Sequence, residues 1–244
     1  MTLPDTPSSD VHPVGAARAL QLHDARPFFD KVLAHGVQHG IIDAARLAVM
    51  NADAPKGIVQ SHGMRWGHIQ RAAISGYAAD TVTMIATPLY SNTTLVSVIP
   101  TLAWGGCVIL MPKFDALAYL QIAERERVTH TMLVPVQYQR LMARPEFDRF
   151  DLGSFRMKFC TSAPFHADLK ADVLKRWPGG LTEYYGMTEG GGTCILQAHL
   201  HPTKLHTVGQ PADGHDVRLI DEQGREVAKG EAGEVVGRSP AMMT

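Results

Sequence analysis

Between residues 82 and 185, short apolar and β-branched runs alternate with stretches of helical spacing, and few architectures can accommodate that alternation. Residues 82–86, 107–111, 131–134, 157–161 and 181–185 read as strands, and residues 93–104, 117–126, 137–143 and 167–177 as helices. Strands apolar on both faces and separated by helices build a mostly parallel sheet covered by helices. Ligands of such sheets sit beyond the carboxyl ends of the strands.

The flanks have a different texture. Residues 1–13 carry three prolines with Ser8, Ser9 and Asp10 and no apolar period, which reads as a disordered lead. Residues 16–50 place Phe28, Val32, Leu33, Ile41, Ile42, Ala45 and Leu47 at helical spacing, broken near Gly36 and Gly40, which predicts two helices. From Pro202 onward the helical signal stops. Residues 217–220 and 234–236 are separated by turn residues at 221–224 and 229–231, as in a small β region. The expected fold class is α/β: a mostly parallel sheet flanked by helices, with a small C-terminal β region and a helical N-terminal extension. The expected divisions are an extension over 1–53, a core over 54–201 and a β subdomain over 202–244.

Charge and composition remove several function classes. Lys and Arg number 23 against 24 Asp and Glu, so no basic face points to nucleic acid or an anionic membrane surface. The longest apolar runs are broken by Pro88, Pro100, Pro112 or charges, short of the roughly 18 residues of a membrane span. Met1 to Asp5 lack the basic and apolar segments of a secretory signal. Cys107, Cys160 and Cys194 are odd in number and far apart, which fits a reducing compartment, and the chain reads as cytoplasmic with small-molecule partners. Cys107 and Cys160, inside expected strands, read as packed thiols. His35 and His39 have zinc-ligand spacing, but Gly36 stands where a metalloprotease places glutamate. His130, His166, His201 and His206 form no ligand cluster, and most histidines are expected to face solvent or be satisfied in loops. A GxSxG, a complete P-loop and a GxGxxG are all missing from the sequence.

The densest chemical signal is Thr182-Glu183-Tyr184-Tyr185-Gly186-Met187-Thr188-Glu189-Gly190-Gly191-Gly192, at the end of an expected strand. A glycine there lets the backbone turn, the Thr188 hydroxyl can bond a phosphate oxygen, the Glu189 carboxylate can hold Mg²⁺ against phosphates, and Tyr185 can stack on a base. Spacing alone leaves this open against a glycine-rich loop carrying one exposed acid.

Tyr185-Gly186-Met187-Thr188-Glu189 resembles the YGxTE motif of the adenylate-forming superfamily of acyl-CoA synthetases, luciferases and adenylation domains. Its neighbours resemble the family's other segments in order. Thr161-Ser162-Ala163-Pro164 is similar to the loop along the adenine, Val208-Gly209-Gln210-Pro211 to VGxP, and Gly230-Glu231-Ala232-Gly233-Glu234 to GExGE. Upstream, Pro55-Lys56-Gly57 resembles the end of the signature phosphate loop, although Ala48 to Asp53 stand where that loop carries hydroxyls and glycines. Thr87 to Thr94, with Tyr90 and Ser91, resembles the segment at the acyl end of the pocket, joined there by Trp104 and Gly105. A strand end leading into a buried helix explains that segment equally.

The resemblance implies a ligase that activates a carboxylic acid with ATP in the presence of Mg²⁺ and passes it to coenzyme A, releasing AMP. By residue match Glu189 would hold Mg²⁺ and Thr188 would contact phosphate. Tyr185 with Ser162, Ala163 and Pro164 would hold adenine; Glu183, Tyr184, Gly186, Met187 and Lys56 are carried over with them. The apolar stretch 95–104 leans toward a fatty or aromatic acid. Relatives continue to a ribose-binding aspartate, a hinge and a small domain, none of which precedes Thr244, so a shortened derivative with little turnover is expected. The rival readings are a non-catalytic nucleotide- or acyl-CoA-binding module and a structural remnant. A homo-oligomer is compatible with either.

Overall fold

The computed structural model of the protein describes residues 18–20, 58–239 and 242. The phosphate-loop remnant, Lys56 and the two expected N-terminal helices lie outside the described residues. Arg18–Leu20, inside the stretch expected to be helical, instead forms strand β1. From residue 58 the chain runs through α1 (His62–Ala72), β2 (Val82–Ile85), α2 (Asn92–Ala103), β3 (Cys107–Leu110), α3 (Ala116–Arg125), β4 (His130–Leu133), α4 (Pro135–Met142), β5 (Met157–Cys160), α5 (Ala167–Arg176) and β6 (Gly180–Tyr185). It then continues through β7 (Cys194–Gln197), β8 (Gln210–Pro211), β9 (Asp216–Ile220) and β10 (Glu234–Arg238).

Helix starts follow from local chemistry. Ser61 Oγ accepts from Met64 N–H at 3.2 Å and Asp115 Oδ1 from Ala118 N–H at 2.8 Å, each satisfying an orphan donor of the first turn of α1 and α3. Pro135 opens α4, where its missing N–H costs nothing. Gln137 ties that start to the sheet: its Oε1 accepts from Val134 N–H and its Nε2 donates to the carbonyl of Ala86.

Eight strands form one sheet in the order β1-β3-β2-β4-β5-β6-β7-β8, and β9 with β10 form a separate antiparallel pair. The five central strands, β3-β2-β4-β5-β6, are mutually parallel; β1 pairs antiparallel with β3 on one edge, and on the other β7 pairs antiparallel with β6 and β8 antiparallel with β7. Alternation along each strand sends successive side chains to opposite faces. On the face covered by α3, α4 and α5, Trp177 is fully buried with Phe155 at 5.0 Å, Phe147 at 5.6 Å and Tyr138 at 5.8 Å between ring centroids. The face under α1 and α2 carries a second aromatic row. Tyr77 stacks on Phe159 at 6.2 Å and Phe159 on Tyr184 at 5.8 Å, with Met132 beside them.

His130 departs from the expected loop or surface setting of the histidines. It lies fully buried in β4, its Nε2 2.9 Å from the Ser75 carbonyl and its Nδ1 2.8 Å from Thr129 Oγ1, against the Tyr77 ring. Burial pushes its imidazole below the ordinary histidine range. Cys160 is packed in β5, where burial and then the nearby Glu183 hold its thiol well above the usual range. No helix among the described residues is long and apolar enough to cross a membrane.

Candidate functional site

Strands β5 and β6 are parallel neighbours, with Cys160 opposite Glu183, so the loops that follow them leave the same end of the sheet side by side. The loop after β5 turns through Ser162 in the left-handed region, φ 79°, a conformation that costs a serine on the order of 1–2 kcal/mol. Its Oγ lies 3.0 Å from Thr93 Oγ1 at the start of α2. After β6 the chain closes a tight turn in which Gly190 N–H donates to the Met187 carbonyl at 3.1 Å, with Thr188 and Glu189 at its centre. Gln60, just before α1, donates from Nε2 to the Thr188 carbonyl at 3.0 Å. Segments more than a hundred residues apart are thus tied at one point.

These segments wall an open cavity of about 800 Å³. Ser162, Tyr184, Tyr185, Gly186, Met187 and Thr188 all line it, joined by Thr93, Val96 and Ser97 of α2 and by Met132 and Phe159 from the sheet. A second groove, about 690 Å³, is lined by Ser162, Ala163 and Pro164 together with Glu183, Tyr184, Tyr185 and Gly186. Tyr185 is 41% exposed and borders both spaces.

Other expected site residues fall elsewhere. Glu189 is half-buried in the turn and lines neither space. Tyr90, Ser91, Trp104 and Gly105 line neither; Tyr90 is exposed, and Trp104 donates from Nε1 to the Ile69 carbonyl at 2.9 Å, fastening α2 to α1. One turn further along α2, Thr93, Val96 and Ser97 supply the wall instead. Glu183 is buried and paired with Lys170 of α5, whose Nζ also donates to the carbonyls of Leu205 and Thr207 at 2.9 Å each. Burial raises the Glu183 carboxyl, and Lys170 opposes the rise.

Among the cavity residues outside the motifs are His68 and Arg71 of α1, and His215. Burial first, and then Arg71 and Arg65, push His68 down to about 4; burial followed by Arg71 lowers His215. Burial raises Tyr184 to about 12 against the pull of Arg71. The Arg71 guanidinium therefore sits among groups that are neutral near pH 7. The sequence does hold a signal for this wall: an N-capping Ser61 followed by Met64, His68 and Ala72 on one helical face.

The family model described as AMP-binding enzyme matches residues 54–244. A feruloyl-CoA synthase of an Amycolatopsis species is 38% identical over 194 residues, covering 78% of this chain and 39% of its relative. An indoleacetate–CoA ligase of Aromatoleum aromaticum is 33% identical over 199 residues, covering 78% and 38%. The amide bond synthetase McbA from Marinactinospora thermotolerans superposes with a TM-score of 0.69 at 30% identity, covering 78% of this chain and 39% of that one. The chain thus spans about 39% of the length of such relatives. With a family model matching residues 54–244 and a mostly parallel sheet of the same fold, the chain belongs to the family of AMP-binding enzymes.

Proposed function

We propose that this chain carries the nucleotide-binding and acid-binding walls of an AMP-forming acid–thiol ligase. The observation that carries the reading is the convergence of Ser162 and Thr188, from loops after adjacent parallel strands, on one cavity. In the proposed reaction a carboxylate oxygen of the acid attacks the α-phosphorus of ATP, pyrophosphate leaves, and an acyl-adenylate results. The thiolate of coenzyme A then attacks the acyl carbon and AMP departs.

The residues present suit an adenine nucleotide. Ser162, Ala163, Pro164 and the exposed Tyr185 line a groove suited to a planar base, and Thr188 lines the adjoining cavity, where its hydroxyl would donate to an α-phosphate oxygen. Asn92 Oδ1, on the cavity wall, is shut from solvent and has no hydrogen-bond partner among the described residues, as expected of an acceptor awaiting a ligand donor. No group of three or more His, Cys, Asp or Glu able to hold a metal occurs among the described residues. Mg²⁺ that bridges phosphates needs only one or two protein carboxylates, and Glu189 is the acid on this turn that would hold it. When bound, Mg²⁺ supplies charge neutralisation between the phosphates and the anionic nucleophile.

The protein's own part is positioning: Gln60 and Gly190 fix the Thr188 turn, and Ser162 fixes the opposite lip. Because Ala48 to Asp53 provide none of the hydroxyls that cradle a triphosphate, we propose that AMP binds well and that turnover is slow or absent.

Calorimetry with AMP and with ATP·Mg²⁺, beside ATP–pyrophosphate exchange, tests this. AMP binding that weakens about tenfold in Thr188→Ala, with a melting temperature close to that of the parent, is expected. Absence of AMP binding sinks the reading, and brisk exchange refutes the proposal that turnover is impaired.

A further inference from the structure

Arg71 is an arginine of the cavity wall that neither the motifs nor the proposed chemistry uses. It lies in the last turn of α1, where a basic side chain ordinarily folds over the terminal carbonyls and complements the helix dipole. Here it leans back over the preceding turn, the usual direction of a helical side chain. A Cβ built on Gly67 would meet Arg71 Nη1 at 3.2 Å and Nη2 at 3.7 Å, so the guanidinium runs back one turn toward the helix start, over a position kept free of side chain. It makes no hydrogen bond or ion pair with any described residue, and it is exposed into the cavity. Beside it, His68 Nδ1 is shut from solvent and unpartnered among the described residues. A planar cation with five donors, left unpaired in the wall of a concave site, is built to receive an anion.

Position decides which anion. Gln60, one residue before the Ser61 cap, touches the Thr188 turn, so the reacting end of the cavity lies at the start of α1. Arg71 is ten residues, about 15 Å of helix, beyond Ser61, and its head returns by one turn of about 5 Å. The guanidinium thus stands roughly 10 Å along the helix from the reacting end. Val96, Met132 and the stacked rings of Phe159 and Tyr184 line the same cavity. An apolar, aromatic span with a reaction site at one end and a free guanidinium at the other matches one ligand shape.

Resting on the ligase reading for the reacting end, we propose that Arg71 is a specificity-determining residue: it holds a second anionic group, a carboxylate, at the far end of an aromatic acid whose first carboxylate is the one activated. Selection for a dianionic aryl acid then comes from the Arg71 pair, while the rings contribute affinity shared by all aryl acids.

The test compares binding of cinnamate and 4-carboxycinnamate to the whole chain by calorimetry at fixed ionic strength, in the parent and in Arg71→Met and Arg71→Lys. The expected result is that 4-carboxycinnamate binds at least about tenfold more tightly than cinnamate. Arg71→Met abolishes the difference without weakening cinnamate, and Arg71→Lys keeps part of it, having charge but not the planar fork. Equal affinities in the parent, a preference surviving in Arg71→Met, or failure of both acids to bind each overturns the proposal. AMP binding, measured on the same samples, separates the two failures. AMP bound without discrimination between the acids removes the Arg71 assignment and leaves the ligase reading standing. Discrimination without AMP binding does the opposite.

Discussion

Lys170 and Glu183 show how one residue pair holds the site in shape. Both side chains are almost wholly removed from solvent, and the ammonium is shared between the carboxylate and the carbonyls of Leu205 and Thr207. The pair therefore clamps the 205–207 segment against β6 three residues before Gly186. Removing one partner of a buried pair leaves an uncompensated group, and Lys170→Met is expected to lower stability by about 3–5 kcal/mol in urea unfolding. Lys170→Met with Glu183→Met recovers most of that, because the pair and its desolvation are removed together. The pH dependence has a definite sign. Burial already raises the Glu183 carboxyl above its unfolded value, and loss of Lys170 removes the effect that opposes the rise. A carboxyl with a raised folded pKa is tolerated below its unfolded pKa and becomes a burden as pH rises through the folded one. The single variant is therefore expected to lose more at pH 8 than at pH 5; an equal loss at both would show that Glu183 is not the group left exposed to the core.

At the scale of elements, β8 depends on a single glycine. Gly209 has φ 86°, and a Cβ there would lie 1.9 Å from the Ile195 carbonyl oxygen of β7, so the two strands approach as closely as they do only because no side chain intervenes. Gly209→Ala is expected to cost more than about 3 kcal/mol and to expose the β7 amides to hydrogen exchange. Gly224→Ala, also at positive φ but with nothing within 4 Å, provides the control and costs only the left-handed backbone, about 1–2 kcal/mol. Equal losses in the two variants would refute the steric account.

The same elements explain what could be read from the sequence. The five parallel strands were legible because burial on both faces demands continuous apolar runs, and their boundaries fall within a residue or two of those expected. The edge strands were not: β7 is short and bordered by Gly190–Gly192, β8 is two residues ending in Pro211, and pairing partners rather than composition define both. Helix α1 carries an N-cap at Ser61, but its apolar pattern is broken by Arg65, an exposed Trp66 and Arg71. Within the site, the turn at Thr188 and the Ser162 loop were visible as local strings. His68, Arg71 and His215 were not, since what unites them is a cavity closed by segments remote in sequence.

For the whole molecule, the site is held by two structures of unequal strength. The large sheet fixes where the loops begin, through the core around Trp177, while the small β9–β10 pair leans on the loop that follows the Thr188 turn. That contact is glycine against glycine. A Cβ on Gly237 would lie 2.5 Å from the Gly191 carbonyl oxygen and 2.8 Å from Gly192 Cα, and Ser239 Oγ donates to the Gly190 carbonyl at 2.7 Å. Backbone atoms cannot swing aside as a flexible side chain can, so Gly237→Ala must push the pair away from residues 190–192 and loosen the end of the Met187–Gly190 turn. Because this contact lies outside the main core, the expected cost in global stability is small, about 1 kcal/mol, while AMP affinity falls about tenfold through a misplaced Thr188. Trp177→Ala should do the reverse: it opens a cavity in the core and lowers stability by about 3–5 kcal/mol, yet molecules that remain folded keep the parent affinity because both loops still leave the same strand ends. Urea unfolding and AMP calorimetry on the two variants decide the matter. If affinity tracks stability in both, the β9–β10 pair has no part in holding the turn, and the geometry of the site is set by the large sheet alone.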